Sequence, residues 1–270
     1  MFYKENKRNT DYHKLKMLVT GNEKSMYEIQ ITKKRKSTNI YFDISEKTIH
    51  IPETNDLAFF LEKRRPQLKR IFNNKREETF YKGFKIHFVL KDENGAKENP
   101  FSKDKIAIID HRGKYRQVQW AYHGISNICK IFTDGSYNEH LDEGAYTLII
   151  KKSNGFSDIF TFKSNNKGSN LIELEAIIKA LKMTKNQEKI NITTDSRYVI
   201  KGITEWIPIW KLNNWITANG EKVKNKMHWK KLNQLVKGRY VEFKWVKSHS
   251  HCSENNLCDY LSRKHIYQSV

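Results

Sequence analysis

The sequence predicts an α/β fold: a mixed five-stranded sheet flanked by helices and preceded by a smaller α+β domain. Three observations predict it. The second half runs strand, strand, strand, helix, strand, helix, strand, helix. Two of its strands lead directly into an Asp. The first half instead carries short, half-apolar strands around one helical stretch.

In chain order, Ser25–Thr32, Asn39–Ile44 and Lys47–Ile51 mix apolar and polar residues as half-exposed strands do. Thr54, Asn55 and Asp56 offer caps for a helix starting near Leu57, and Pro66 should break or re-aim it before Leu68–Phe72. Tyr81–Leu90, Ile106–Ile109 and Tyr115–Tyr122 read as strands, and Lys91–Lys105 as an exposed loop. A boundary between Tyr122 and Asn127 separates a basic α+β domain, 1–125, from residues 126–270. Beyond it, Lys130–Thr133, Ala145–Lys151 and Asp158–Phe162 are strands, and Asn170–Met183 has helical spacing. Strand Lys189–Thr194, a helical run from about Ser196, strand Val241–Val246 and helix Glu254–His265 complete the pattern.

Composition narrows the function. No stretch approaches the ~20 apolar residues of a membrane span, and the N-terminus lacks a secretory signal pattern. Cys129, Cys252 and Cys258 cannot all pair and form no CxxC, so a reducing, intracellular, cytoplasmic setting is expected. The 270 residues hold 50 Lys+Arg against 30 Asp+Glu, a net +20. Residues 1–129 contribute 27 basic and 16 acidic (+11) and residues 130–270 contribute 23 and 14 (+9), so no detachable tail carries the charge. A polyanion, most simply nucleic acid, is the expected partner.

Four carboxylates stand where they do little for folding. Asp134 follows Ile131-Phe132-Thr133, with Gly135-Ser136 permitting a tight turn, and Asp195 follows Ile192-Thr193-Thr194 and enters a helix through Ser196. Two strand ends can place both at one edge of a sheet. Glu173 shares its helix face with Ile177 and Ala180 and points inward; Glu175 shares its face with Lys179 and Lys182, the solvated side. Asp259 lies one turn after Asn255 on the closing helix. Brought together, four carboxylates repel unless cations sit among them. Oxygen ligands without Cys or His select Mg²⁺ or Mn²⁺. Two such ions can activate a water and stabilise the leaving oxygen of a phosphodiester.

These residues fall in segments that resemble the type 1 ribonuclease H (ribonuclease HI) family: IFTDGS (131–136), NLIELEAIIKAL (170–181), TDSRYVIKGITEWIPIWKLNNW (194–215) and WVKSHSHCSENNLCDYLSR (245–263). The resemblance covers about half of the chain. It implies a ribonuclease H-like fold and an endoribonuclease that hydrolyses the RNA strand of an RNA–DNA hybrid with two Mg²⁺ ions, Mn²⁺ able to substitute. It places the metal-binding carboxylates on Asp134, Glu173, Asp195 and Asp259, and the mobile, proton-handling histidine on His249. Asn255 is implied as support for the last carboxylate and the substrate loop, Asn170 as a ribose or base contact, and Arg197 stands where an amide side chain is common. Residues 206–229 look like the basic protrusion that grips a hybrid, with Trp206 and Trp215 among Lys211, Lys222 and Lys224 and seven Lys against two Glu between positions 201 and 231. Core packing competes as the role of those tryptophans. The stretch from Tyr137 to Glu143 departs from the family by its added acids.

A monomer with no small-molecule cofactor is expected. A zinc site from His249, His251, Cys252 and Cys258 is disfavoured by its cramped spacing. A non-catalytic hybrid-binding module, or another nuclease on the same fold, would keep the elements but not the activity. For residues 1–125, Lys33–Lys36 and Lys63–Arg65 with Lys69-Arg70 suggest further nucleic-acid contact, and a protein partner is the alternative.

Overall fold

The computed structural model describes residues 12–75, 78, 80–91, 101–102, 105–113, 116–122, 124, 128–151 and 155–268. They form two compact units: Met1–Ala96 with Pro208–Lys224, and Lys97–Ile207 with Asn225–Val270. Most of the loop expected over Lys91–Lys105, and most of the Tyr122–Asn127 boundary, lie outside the described residues. No described helix is long and apolar enough to cross a membrane.

The first unit is an antiparallel sheet ordered β4-β3-β2-β1-β5, from β1 (Tyr12–Glu23), β2 (Met26–Lys33), β3 (Lys36–Asp43), β4 (Thr48–His50) and β5 (Lys85–Lys91). The long first strand goes beyond the sequence reading, although Leu15, Met17 and Val19 alternate inward as a half-buried strand requires. With Ile29, Ile31, Ile40, Phe42, Ile86, Phe88 and Leu90 they pack one face against α1 (Asp56–Glu62) and α2 (Arg65–Asn73). Asn55 caps α1, its side chain accepting from the Leu57 and Ala58 amides at 3.0 and 2.9 Å. The interruption expected at Pro66 is present: α1 ends at Glu62, and Pro66 stands in the first turn of the new helix α2, where its missing N–H is no loss.

Part of the expected protrusion belongs to this unit. Past α5 (Ile207–Leu212), the Asn213 Oδ1 accepts from the His87 amide at 2.6 Å while its Nδ2 donates to the His87 carbonyl at 3.0 Å, closing the open edge of β5. The buried Lys75 ammonium donates to the Ala218 carbonyl, and burial pushes its pKa down to about 8.

The second unit holds a seven-stranded sheet ordered β10-β9-β8-β11-β12-β6-β7. The five expected strands are β8 (Cys129–Asn138), β9 (Glu143–Lys151), β10 (Ser157–Ser164), β11 (Lys189–Thr194) and β12 (Tyr240–Trp245). The expected count of five is exceeded because β6 (Ile106–Asp110) pairs antiparallel with β12 and carries β7 (Gln117–Ala121) on its outer edge. β8, β11 and β12 are parallel neighbours. Helix α3 (Ser169–Met183) crosses β8, and α7 (Ser253–Gln268) lies along β8 and β9. The helical run after Ser196 is α4 (Arg197–Lys201), then a π-helical turn Gly202–Trp206 leading into α5, with α6 (Lys226–Leu235) separate.

One buried cation ties helix ends together. Arg239 donates to the carbonyls of Leu181, Thr184, Gln187 and Leu235 at 3.1, 2.5, 2.9 and 3.3 Å, satisfying groups at the ends of α3 and α6. Arg239→Met leaves those carbonyls buried and unpaired, so the urea midpoint followed by tryptophan fluorescence should fall by the equivalent of about 2–4 kcal/mol.

Candidate active site

The parallel register builds the site. Phe132 of β8 pairs with Thr193 of β11, so two residues further on Asp134 and Asp195 emerge at the same level. β8 does not turn after Asp134 as the sequence suggested but runs on to Asn138. Gly135 serves a close approach instead: a Cβ there would meet Ile172 Cγ2 at 2.8 Å and the Glu173 amide at 3.2 Å. That approach delivers Glu173 from α3, and oxygens of Asp134, Glu173 and Asp195 lie within 4.8 Å of one another.

Helix α7 is fastened to the back of the strand. Asn255 Nδ2 donates to the Thr133 carbonyl at 3.2 Å, Cys258 Sγ to Phe132 O at 3.6 Å and Ser262 Oγ to Asp134 O at 3.4 Å. Spaced three and four apart, these residues share one helix face. Asp259 then faces a cleft of about 140 Å³ lined by the three clustered acids, Ser248, His249 and Arg263. Its carboxylate is outside the tight trio: Oδ1 accepts from Arg263 Nε at 2.8 Å, and Oδ2 lies 3.7 Å from His249 Nδ1. His249 is exposed in the loop before α7, with left-handed backbone (φ 53°).

Two serines hold the acids in place. Ser196 caps α4 and donates its hydroxyl to Glu173 Oε2, and Ser248 Oγ donates to Asp195 Oδ2 at 2.6 Å. Trp245 Nε1 donates to the Asp195 carbonyl at 3.0 Å. Ser196, Ser248 and Arg263 were missed in the sequence. Adjacency to Asp195 and His249, and the i+4 spacing of Arg263 from Asp259, were the available signals.

Electrostatically the cluster is short of positive charge. Burial, and then the charges of Asp195, Asp259 and Glu173, push Asp134 up to about 8 against the opposing Gly135 amide. Burial pushes Glu173 up to about 7, with Asp195 adding to it and the Ser196 hydrogen bond opposing. Asp195 Oδ1 is buried without a hydrogen-bond partner. An oxygen-only donor set with an orphaned buried oxygen fits a hard divalent cation. The residues weighed for zinc do not converge: Cys258 is buried against Phe132, and among the described residues the acidic trio is the group with metal-ligand spacing.

The other expected residues divide. Asn170 is exposed in the first turn of α3. The exposed Arg197 lies over the Trp245 ring at 4.6 Å and Phe101 at 5.2 Å. Trp206 packs on Tyr198 and Trp229 at 5.6 and 6.3 Å, the core role. Asn255, 2% exposed, is held within the fold by its bond to the Thr133 carbonyl. Lys211, Lys222 and Lys224 are exposed and Trp215 packs on Trp210 at 6.2 Å, all in the first unit. Glu175 is not a solvated partner of Lys179; it accepts from Ser164 Oγ and Asn166 Nδ2. The added acids after Asp134 are neutralised locally, Asp142 by Lys167 and Glu143 by Lys163.

Carboxylates from two neighbouring parallel strands and two helices, converging without nitrogen or sulfur ligands, define a metal-dependent hydrolase site on a mixed sheet. A family model for RNase H matches residues 126–267. The ribonuclease H of Actinobacillus pleuropneumoniae serotype 5b (strain L20) is 39% identical over 136 residues, spanning 50% of this chain and 88% of that protein. That of Wolbachia pipientis wMel is 40% identical over 136 residues, with 50% and 93% covered. Ribonuclease HI of Haemophilus ducreyi (strain 35000HP / ATCC 700724) is 39% identical over 140 residues, with 49% and 86% covered. The chain belongs to the RNase H family and is a ribonuclease H, a hydrolase.

The raised carboxyls have a stability consequence. Their folded pKa values lie above the unfolded values near 4, so the metal-free folded chain binds more protons and loses stability as pH rises from about 4 to about 8. In EDTA at pH 8, Asp134→Asn should melt ~2–5 °C above the unsubstituted chain, and the gap should close by about pH 5 in differential scanning fluorimetry.

Proposed function

We propose that this ribonuclease H cuts the RNA strand of RNA–DNA hybrids endonucleolytically at the Asp134–Glu173–Asp195–Asp259 cleft. The observation that carries this is the trio of carboxylates within 4.8 Å, one of them with a buried oxygen lacking any partner. Mg²⁺, with Mn²⁺ able to substitute, would be held as a pair by Asp134, Glu173, Asp195 and Asp259, and when bound supplies the Lewis acidity that makes water nucleophilic and stabilises the departing oxygen.

The chain's own groups do the rest. Ser196 and Ser248 fix the rotamers of Glu173 and Asp195, so the oxygens are aimed before substrate arrives. Arg263 balances the charge of Asp259. His249, exposed beside Asp259, exchanges a proton at the cleft mouth or helps product leave. Asn170 contacts the ribose or base side, and Arg197, held flat by Trp245, takes a phosphate. Discrimination of RNA from DNA relies on the 2′-hydroxyl and the shape of the hybrid, without base reading. The catalytic part lies in the second unit, where β6 and β7 from upstream of residue 126 extend its sheet, and the basic first unit binds nucleic acid.

The test is cleavage of a labelled hybrid by the full chain in Mg²⁺, beside duplex RNA and duplex DNA. Supporting groups in metal sites are worth ~10–100-fold, so Asp134→Asn and Glu173→Gln should each lower kcat by at least ~10²-fold. Activity retained in Asp134→Asn would sink the assignment. Ser248→Ala should cost ~10–100-fold, recovered in part by raising Mg²⁺.

A further inference from the structure

Four of the nine basic residues in the clusters noted in the first half of the sequence, Lys33, Lys36, Arg64 and Arg65, have partners within the first unit. Lys36 pairs with Asp56, and Arg65 pairs with Glu62 and donates to the Ile49 carbonyl. Arg64 and Lys33 lie over the Phe60 ring at 3.9 and 3.6 Å, and Arg64 also donates to the carbonyls of Phe60 and Lys91. These contacts gather around the helices.

The opposite face of the sheet differs. Because Leu15, Met17 and Val19 on β1 and Ile86, Phe88 and Leu90 on β5 point into the core, Lys14, Lys16 and Leu18, and Lys85, His87 and Val89, point away from it. In register, Lys14 stands opposite Val89, Lys16 opposite His87, and Leu18 opposite Lys85. Three lysines and a histidine therefore share one patch of two adjacent strands. Lys16 and Lys85 are close enough that Lys85 lowers the Lys16 pKa, first through a side-chain hydrogen bond and then through its charge. Among the described residues no carboxylate lies against either. Placing two ammonium groups side by side on a surface does nothing for the fold, because like charges repel.

The same edge receives the inserted segment. The paired hydrogen bonds of Asn213 with His87 dock it on β5, and Lys211, Lys222 and Lys224 stay exposed on it. The anchor is thus polar and backbone-directed, and leaves the lysines outward.

We propose that the β1/β5 side of the open sheet face, extended by the docked segment with Lys211, Lys222 and Lys224, binds the phosphate backbone of the hybrid duplex. The occupant follows from charge complementarity. Residues two apart on a strand are separated by roughly 7 Å and neighbouring strands by about 5 Å, which sets several ammonium groups against closely spaced phosphates. Lysine meets phosphate as a point charge and carries no sequence preference. A protein partner is the poorer fit, because among the described residues the outward face of β1 and β5 offers Leu18 and Val89 but no aromatic anchor. The identity of the duplex rests on the hybrid being the substrate.

The test uses the full chain in EDTA with a fluorescein-labelled hybrid, followed by anisotropy over a salt series. Lys16→Glu/Lys85→Glu should weaken binding ~10-fold or more near 0.1 M salt and flatten the log K against log salt slope by about 1–2. Lys69→Glu/Arg70→Glu, an equal charge change on the helix side, should leave affinity within about 2-fold. Unchanged affinity and slope in the sheet-side variant, or an equal loss in the helix-side variant, would overturn the proposal. An unsubstituted chain that binds the hybrid but does not cut it would instead remove the catalytic reading and leave this one standing.

Discussion

Carboxylates whose oxygens lie within 4.8 Å in a half-buried cleft cannot all carry charge unless a cation joins them. That repulsion is the constraint on which the second unit is organised. Without an ion, burial first and the neighbouring charges second push Asp134 up to about 8 and Glu173 up to about 7, and protonation relieves both. The fold accepts the cost because the same crowding that is unfavourable for bare acids is the affinity for a divalent ion.

Holding the acids at close range is the work of the backbone. Parallel pairing of β8 with β11 sets Asp134 and Asp195 level, and a missing side chain at Gly135 lets α3 approach closely enough for Glu173 to reach them. From behind, Asn255, Cys258 and Ser262 fasten α7 to successive carbonyls of β8, which aims Asp259 at the cleft. The three outer positions of the helix face are thus structural so that the fourth can be chemical. Asp259 remains balanced by Arg263, at one remove from the trio.

Much of this was legible in the sequence because the signals are local. Hydrophobic runs ending in Asp marked the strands, and a Glu in phase with Ile177 and Ala180 marked the inward acid. What escaped required tertiary knowledge. Gly135 reads as a turn residue until the helix that lies over it is known. Glu175 sits at an i,i+4 distance from Lys179, yet Ser164 and Asn166 reach it first. Ile106–Ile109 and Tyr115–Tyr122 read as strands, but that they join the motif-bearing sheet as β6 and β7 is not visible in the sequence. Likewise, composition located the excess charge of the first half but could not say which lysines are satisfied by neighbours and which face outward.

The central claim, that the acid cluster is incomplete without a cation, is tested most directly by the protons released when Mg²⁺ binds. Calorimetric titration of the metal-free chain at pH 7, repeated in buffers of different ionisation enthalpy, should give release of about one proton per chain, falling toward zero by about pH 9. Glu173→Gln with Asp134→Asn should abolish both the release and the binding. Mg²⁺ binding without proton release at pH 7, or release unaltered by the two substitutions, would contradict the account.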